Sequence, residues 1–169
     1  MEFSLTALMA SCAPLVHPGT LQALVTVESH RQPYAISINY PEREALHGRE
    51  VPELDRQPRT RTEAVQWVRA LEQQGYSVSV GLAQINAERL TWLREQGIAG
   101  RVDDLLDPCT NLKASQAILL ECFGQSAAAM GRRRLAQTLS CYNTGHPTLG
   151  IQNGYVARIA RAAAATHQP

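Results

Sequence analysis

Glu28 is the residue whose type and position best fit acid–base chemistry. It lies near the end of a helical pattern over residues 18–29, in which Leu21, Leu24 and Val25 recur on one face. The same spacing leads on to Glu28, so a carboxyl group continues the apolar stripe at the C-terminal end of the helix. Burial and the negative end of the helix dipole both raise the pKa of such a carboxyl group, which could then stay protonated and act as a general acid. The alternative is that Glu28 lies at the edge of the stripe and reaches water.

The elements that must position Glu28 are predicted to form an α+β domain dominated by helices. Helices are predicted over residues 3–12 and 18–29, from 62 to a stop at Gly75, from N-caps at Asn86 and Thr110, and over 132–142 and 152–165. Alternating residues predict short strands at 34–39 and 76–80, which can pair. Three prolines and many charges mark residues 40–60 as an irregular loop, and a loop of this length is usually functional or mobile.

Composition places the chain among ordinary folded domains. Its 169 residues fit one domain, predicted over 1–169, and 44% of them are hydrophobic. Lys plus Arg (16) nearly balances Asp plus Glu (15), so no nucleic-acid partner is predicted, and the run Arg132–Arg134 is interpreted as a solvated helix face. No apolar run approaches the ~20 residues of a membrane span. Residues 1–14 lack the basic region of a signal peptide, which leaves a removed signal, another export route and a cytoplasmic protein all open.

The four cysteines could form two disulfides in an oxidising compartment or remain buried thiols: Cys12, Cys109, Cys122 and Cys141. If residues 110–123 form one helix, Cys109 and Cys122 are roughly 19 Å apart by helical rise, beyond the about 7 Å that a disulfide tolerates. A Cys109–Cys141 bond would close a loop of about 32 residues and could contribute about 3 to 4 kcal/mol. No spacing of Cys and His suggests zinc, and no metal or cofactor is predicted.

Four short segments stand in a fixed order along the chain. They are Val27-Glu28-Ser29, Gly81-Leu-Ala-Gln-Ile-Asn86, Cys141-Tyr-Asn-Thr-Gly145 and Gly154-Tyr-Val156. Together they resemble the lysozyme-like lytic transglycosylases over nearly the whole chain. Asp107-Pro-Cys-Thr-Asn-Leu112 and Ser140-Cys-Tyr-Asn-Thr-Gly145 look like the small branch that accompanies type IV secretion and conjugation systems. The chain departs from the family pattern where Ala83 replaces the usual Met and where His30 replaces a small residue.

The resemblance implies a lysozyme-like (SLT) fold and a peptidoglycan lytic transglycosylase. Such an enzyme cleaves the β-1,4 bond between N-acetylmuramic acid and N-acetylglucosamine without water and leaves a 1,6-anhydromuramyl end. Glu28 matches the family's single catalytic acid, which acts as acid and then as base. A two-carboxylate glycosidase would need a second acid at a defined separation. The acids that could serve lie in the irregular loop with no motif to fix them opposite Glu28, namely Glu42, Glu44, Glu50, Glu53 and Asp55.

The resemblance also implies five substrate-binding residues: Ser37, Gln84, Tyr142, Asn143 and Tyr155. The local sequence leaves alternatives open, since Gln84 could cap a helix start and the two tyrosines could belong to the core. The implied partners are peptidoglycan glycan strands and type IV secretion or conjugation proteins, and the implied location is the periplasm.

Three other functions remain open at this point. One is a lysozyme-type hydrolase on the same fold, with a loop carboxylate such as Glu42 positioning water. Another is a peptidoglycan-binding assembly factor whose catalysis is weak or dispensable. A DNA-binding module is the most distant, because the helices lack a clustered basic face.

Overall fold

Most of the described chain is helical. The computed structural model describes residues 4–39 and 52–165. Its helices are α1 (Leu5–Cys12), α2 (Pro18–Ser29), α3 (Arg61–Gln73), α4 (Leu90–Glu95), α5 (Pro108–Gln125), α6 (Gly131–Thr144), α7 (Leu149–Gln152) and α8 (Tyr155–Ala165), with short 3-10 helices at Ala87–Arg89 and Val102–Leu106. One sheet contains β1 (Ile36–Asn39), β2 (Ser77–Val80) and β3 (Ile85–Asn86). The predicted class, α+β dominated by helices, is confirmed.

Contacts along the chain divide it into two compact units. The first comprises residues 1–27 and 115–169, and the second comprises residues 28–114. The division falls inside α2 and α5, so each of these helices contributes residues to both units. The single domain over residues 1–169 stays a prediction.

The sheet of the second unit has two chemically different faces. Its strands are antiparallel in the order β1-β2-β3, and residues opposite each other point to the same side. One face is aliphatic and consists of Ile36, Ile38, Val78, Val80 and Ile85. The other face is polar and uncharged and consists of Ser37, Asn39, Ser77, Ser79 and Asn86. The predicted pairing of the first two strands is confirmed, whereas β3 was missed because two residues are too few to show alternation.

Side chains near the sheet complete the edge of β1 and the start of α3. Gln57 Oε1 accepts from the Ile36 N–H at 2.7 Å and its Nε2 donates to the Ile36 carbonyl at 3.1 Å, so this side chain pairs with β1 as a neighbouring strand would. Thr60 Oγ1 accepts from the Glu63 N–H at 3.2 Å and caps α3. These contacts fix both elements locally.

Two predicted helix boundaries are wrong. Thr110 does not cap a helix, because α5 already begins at Pro108 and Asp107 Oδ1 accepts from the Thr110 N–H at 2.8 Å. Proline suits a first helical turn, so Asp107 is the better cap. The helix predicted over 152–165 is interrupted by Gly154 at φ +81°, which separates α7 from α8. The predicted stops at Gly75 and Gly145 are confirmed, both with positive φ.

All four cysteines are in disulfide bonds. Cys122 pairs with Cys141 in the first unit, with 5.7 Å between the Cα atoms, so the Cys109–Cys141 pairing considered from sequence is wrong. Cys12 and Cys109 are also disulfide-bonded. Paired cysteines are typical of an oxidising, extracytoplasmic compartment. Among the described residues, no helix is both long and apolar enough to cross a membrane.

Candidate active site

Glu28 lies in the last turn of α2 and is half-buried. The two residues that follow this helix, His30 and Arg31, have φ values of 52° and 65°. Left-handed backbone at a residue other than glycine costs about 1–2 kcal/mol, so the chain turns under strain directly behind the predicted acid. The Gln32 N–H donates to the Ser29 carbonyl at 3.0 Å and closes this turn.

Ser29 connects the end of α2 to the segment that carries Gln84. Its side chain is 5% exposed, and its Oγ donates to the Leu82 carbonyl at 2.8 Å. A buried hydrogen bond of this kind contributes about 1 kcal/mol and leaves an unsatisfied carbonyl when it is removed. Within the second unit, the structure therefore brings the end of α2 and the turn over residues 81–85 together.

Gln84 sits at the end of this turn with φ 47°, directly before β3. Its Nε2 donates to the carbonyls of Ala35 at 3.1 Å and Gly81 at 3.0 Å. The alternative in which Gln84 caps a helix is wrong, because Asn86 fills that role by accepting from the Glu88 N–H at 2.8 Å. The Gln84 side chain instead ties the turn to the chain just before β1.

Ser37 lies on the polar face of the sheet and is exposed. It is two residues beyond Ala35, the acceptor of the Gln84 amide, so both predicted binding residues belong to one part of the second unit. On the same face, Asn39 Nδ2 donates to Ser79 Oγ at 2.8 Å. Sequence reasoning singled out Ser37 alone; the alternation of Ser and Asn with aliphatic residues was the signal that could have found the whole face.

Tyr142, Asn143 and Tyr155 belong to the first unit. Tyr142 is half-buried and Asn143 is exposed in the last turn of α6, where Asn143 Oδ1 accepts from Asn153 Nδ2 at 3.0 Å. Asn153 Oδ1 also accepts from the Tyr155 N–H at 2.9 Å, which links two of the predicted residues. The Tyr155 side chain is only 1% exposed, as the core alternative expects.

The described loop acids, Glu53 and Asp55, are both exposed. Glu42, Glu44 and Glu50 lie outside the described residues. No group of three or more His, Cys, Asp or Glu side chains suited to a metal ion occurs within residues 4–39 and 52–165.

Comparison with known proteins identifies the family. The pattern of the transglycosylase SLT domain matches residues 6–163. The chain belongs to this family. It is 33% identical over 170 residues to the type IV secretion system protein VirB1 of Brucella suis, covering 96% of this chain and 65% of that protein. It is 34% identical over 153 residues to the VirB1 protein of Agrobacterium fabrum, covering 90% of this chain and 56% of that protein.

The family assignment confirms the resemblance inferred from the ordered segments, including its secretion-associated branch. The chain spans about two thirds or less of the length of these relatives. Among solved structures, none gives a significant match to the chain.

Proposed function

We propose that this protein is a peptidoglycan lytic transglycosylase that uses Glu28 as its single acid–base residue. The observation that carries the proposal is the SLT family match over residues 6–163, with Glu28 in the last turn of α2. Ser29 adds support, because its bond to the Leu82 carbonyl fixes the end of this helix. A general acid must be held within hydrogen-bond reach of the atom that it protonates.

The chemistry needs one carboxyl group and consumes no water. Protonated Glu28 would donate its proton to the glycosidic oxygen between N-acetylmuramic acid and N-acetylglucosamine, and the bond from that oxygen to the muramyl C1 would break. The carbonyl oxygen of the substrate's own N-acetyl group would stabilise C1. The muramyl C6 hydroxyl would then bond to C1 and return its proton to the Glu28 carboxylate. Substrate assistance of this type is a known exception to the two-carboxylate pattern.

The remaining predicted residues would bind and orient the glycan. Ser37 offers an exposed hydroxyl on the polar sheet face, and Gln84 offers a side-chain carbonyl. Asn143 has its Oδ1 engaged by Asn153, so its amide N–H groups would face the sugar. Tyr142 would hydrogen-bond near the N-acetyl group. Tyr155 would act through packing, since its ring is buried.

We infer that the reaction takes place in the periplasm and serves a type IV secretion or conjugation apparatus. The disulfide-bonded cysteines fit an oxidising compartment. The Brucella relative is named a type IV secretion system protein. Local cleavage of glycan strands would open the cell wall for such an assembly.

The deciding experiment is mass spectrometry of the muropeptides that the purified protein releases from sacculi. Wild type should release 1,6-anhydromuramyl products. Glu28→Gln keeps the size of the side chain but cannot donate a proton from a carboxyl group, so release should fall by at least about a hundredfold. Glu53→Gln, which changes an exposed loop acid, should release the same products as wild type.

Products with a free reducing-end muramic acid would contradict the proposal, because they require water as the attacking group. They would favour the hydrolase and direct the search to a second carboxylate. A folded wild-type protein that releases nothing would favour the assembly factor.

A further inference from the structure

Asn111 holds the turn over residues 81–85 from a distance along the chain. It lies on α5, and its side chain is 0% exposed. Its Nδ2 donates to the carbonyls of Val80 and Leu105, each at 2.8 Å, while its Oδ1 accepts from the Ala83 N–H at 2.8 Å. Both N–H groups of the amide and its oxygen are therefore engaged by backbone groups. Two of the three bonds, those to Val80 and Ala83, flank the start of the turn.

Gly81 leaves the space next to the turn that the Asn111 side chain occupies. Gly81 has φ +81°, and a Cβ atom placed there would lie 2.2 Å from Asn111 Nδ2. The absence of a side chain at Gly81 thus lets the amide approach the backbone closely. Ser29 Oγ also donates to the Leu82 carbonyl of this turn at 2.8 Å.

The hydrogen bonds of Gln84 itself determine which of its side-chain atoms is left for a ligand. Both neighbours of Gln84 Nε2 are carbonyl oxygens, so the nitrogen of the amide must face them. Gln84 Oε1 is buried and has no hydrogen-bond partner among the described residues. A buried acceptor without a hydrogen bond is unfavourable, so a donor from a bound molecule would be stabilised there. With its amide hydrogens engaged within the protein, Gln84 can only accept a hydrogen bond from a bound molecule.

We propose that Asn111 is a positioning residue for glycan binding. It locks the turn over residues 81–85 and thereby fixes Gln84 Oε1 as an acceptor for an N–H or O–H group of an amino sugar. Asn111 itself is buried and acts through Gln84. The identity of the ligand rests on the function proposed above, whereas the coupling between Asn111 and Gln84 rests on the hydrogen bonds of the turn.

The test is a double-variant cycle read out as binding of a soluble tetramer of N-acetylglucosamine by calorimetry. Gln84→Asn tolerates the left-handed backbone and shortens the side chain, which withdraws the acceptor. Asn111→Ser removes the amide that bonds to Val80 and Ala83. Each single variant should bind about tenfold more weakly than wild type, and the double variant should also bind about tenfold more weakly, since both changes disable one contact.

A matched control separates positioning from general destabilisation. Thr138 is 3% exposed in the first unit, and its Oγ1 donates to the Arg134 carbonyl at 2.9 Å. Thr138→Val removes a buried hydrogen bond without touching the turn, so it should lower the melting temperature and leave binding unchanged. If Asn111→Ser does not fold, Asn111→Asp takes its place, because a carboxyl group has at most one donor hydrogen and so loses at least one of the two bonds to the Val80 and Leu105 carbonyls.

Additive losses, about a hundredfold in the double variant, would overturn the inference, and so would wild-type affinity in the Asn111 variant. Equal weakening by Thr138→Val would overturn it as well. Wild-type protein that does not bind the tetramer at all would instead contradict the proposed function. A glycan would then no longer be the proposed ligand of Gln84.

Discussion

Buried polar side chains hold both the turn that carries Gln84 and the segment that follows Asn143. In the turn, these side chains are distant in sequence from the groups that they bind, whereas in the segment they are close in sequence. In the turn, Asn111 bonds to Ala83 across 28 residues and Ser29 bonds to Leu82 across 53. In the segment after α6, Ser140 Oγ donates to the His146 carbonyl at 2.7 Å, six residues away.

The other hydrogen bonds of the segment after α6 also join residues that are close in sequence. The Gly150 N–H donates to Ser140 Oγ at 2.8 Å across ten residues. Thr144 Oγ1 donates to the Ser140 carbonyl at 2.9 Å and the His146 N–H donates back to Thr144 Oγ1 at 3.2 Å. The segment after α6 is therefore held by contacts within its own sequence, whereas the turn over residues 81–85 is held by side chains that lie 28 and 53 positions away.

Gly81→Ala should give the largest effect, because it breaks the long-range contact directly. The new Cβ would lie 2.2 Å from Asn111 Nδ2 and 2.8 Å from the Leu105 carbonyl oxygen, at φ +81°. Left-handed strain of about 1–2 kcal/mol plus overpacking of about 1–3 kcal/mol should lower the free energy of unfolding in guanidinium by about 2–5 kcal/mol.

Gly75→Ala is the matched control for backbone strain. Gly75 has a similar φ of +84°, but no atom lies within 4 Å of its added Cβ. It should lose only the strain of about 1–2 kcal/mol. Equal losses in the two variants would mean that the contact between Gly81 and Asn111 does not constrain the turn.

Gly150→Ala tests the local segment and should have a smaller effect. Its Cβ would lie 2.7 Å from the Ser140 Cα, and its φ is not positive. Overpacking of about 1–3 kcal/mol is therefore partly offset by the roughly 1 kcal/mol that Ala gains over Gly in a helix. Guanidinium unfolding should show a net loss of about 0–2 kcal/mol.

Gly124→Ala provides the comparison for Gly150→Ala. Gly124 lies in α5 with open space around it, so alanine there should stabilise by up to about 1 kcal/mol. If Gly150→Ala stabilised the protein equally, the packing of Gly150 against Ser140 would be loose and the segment would depend on other contacts.

The same contrast explains which features the sequence predicts. Glu28 was placed correctly at the end of a helix because Pro18 and the apolar spacing are local signals. Gly75 and Gly145 were identified as helix stops because glycine suits positive φ. Asn111 was noticed only as part of a family-like motif, since its three bonds join segments that are distant in sequence.

The sequence does not predict elements that are too short to show a periodic pattern, such as β3, or features that depend on tertiary contacts. The Cys122–Cys141 bond depends on how α5 and α6 pack within the first unit, which four cysteine positions do not determine. Similarly, Thr110 and Asp107 are both good caps, and only the start of α5 at Pro108 decides between them.

Glu63 extends the comparison to a contact that is both local and exposed, where the smallest effect is expected. Its carboxylate accepts from the Arg56 guanidinium and from the Arg59 N–H, which lower its pKa from 4.5 to about 2. A carboxyl group with a lower pKa in the folded state stabilises the protein above the unfolded value of 4.5 and loses this contribution as the pH falls towards 2. Glu63→Gln should thus lower the melting temperature slightly at pH 7.

The pH dependence distinguishes this contact from a simple loss of packing. The difference in melting temperature between Glu63→Gln and wild type should shrink as the pH falls from 5 towards 2, because wild type then protonates Glu63 and weakens the same contact. Glu53→Gln, at an exposed loop position, should remain close to wild type throughout. A constant difference for Glu63→Gln would show that its ionisation does not stabilise the start of α3. The contacts at the start of α3 would then stabilise the protein independently of the charge on Glu63.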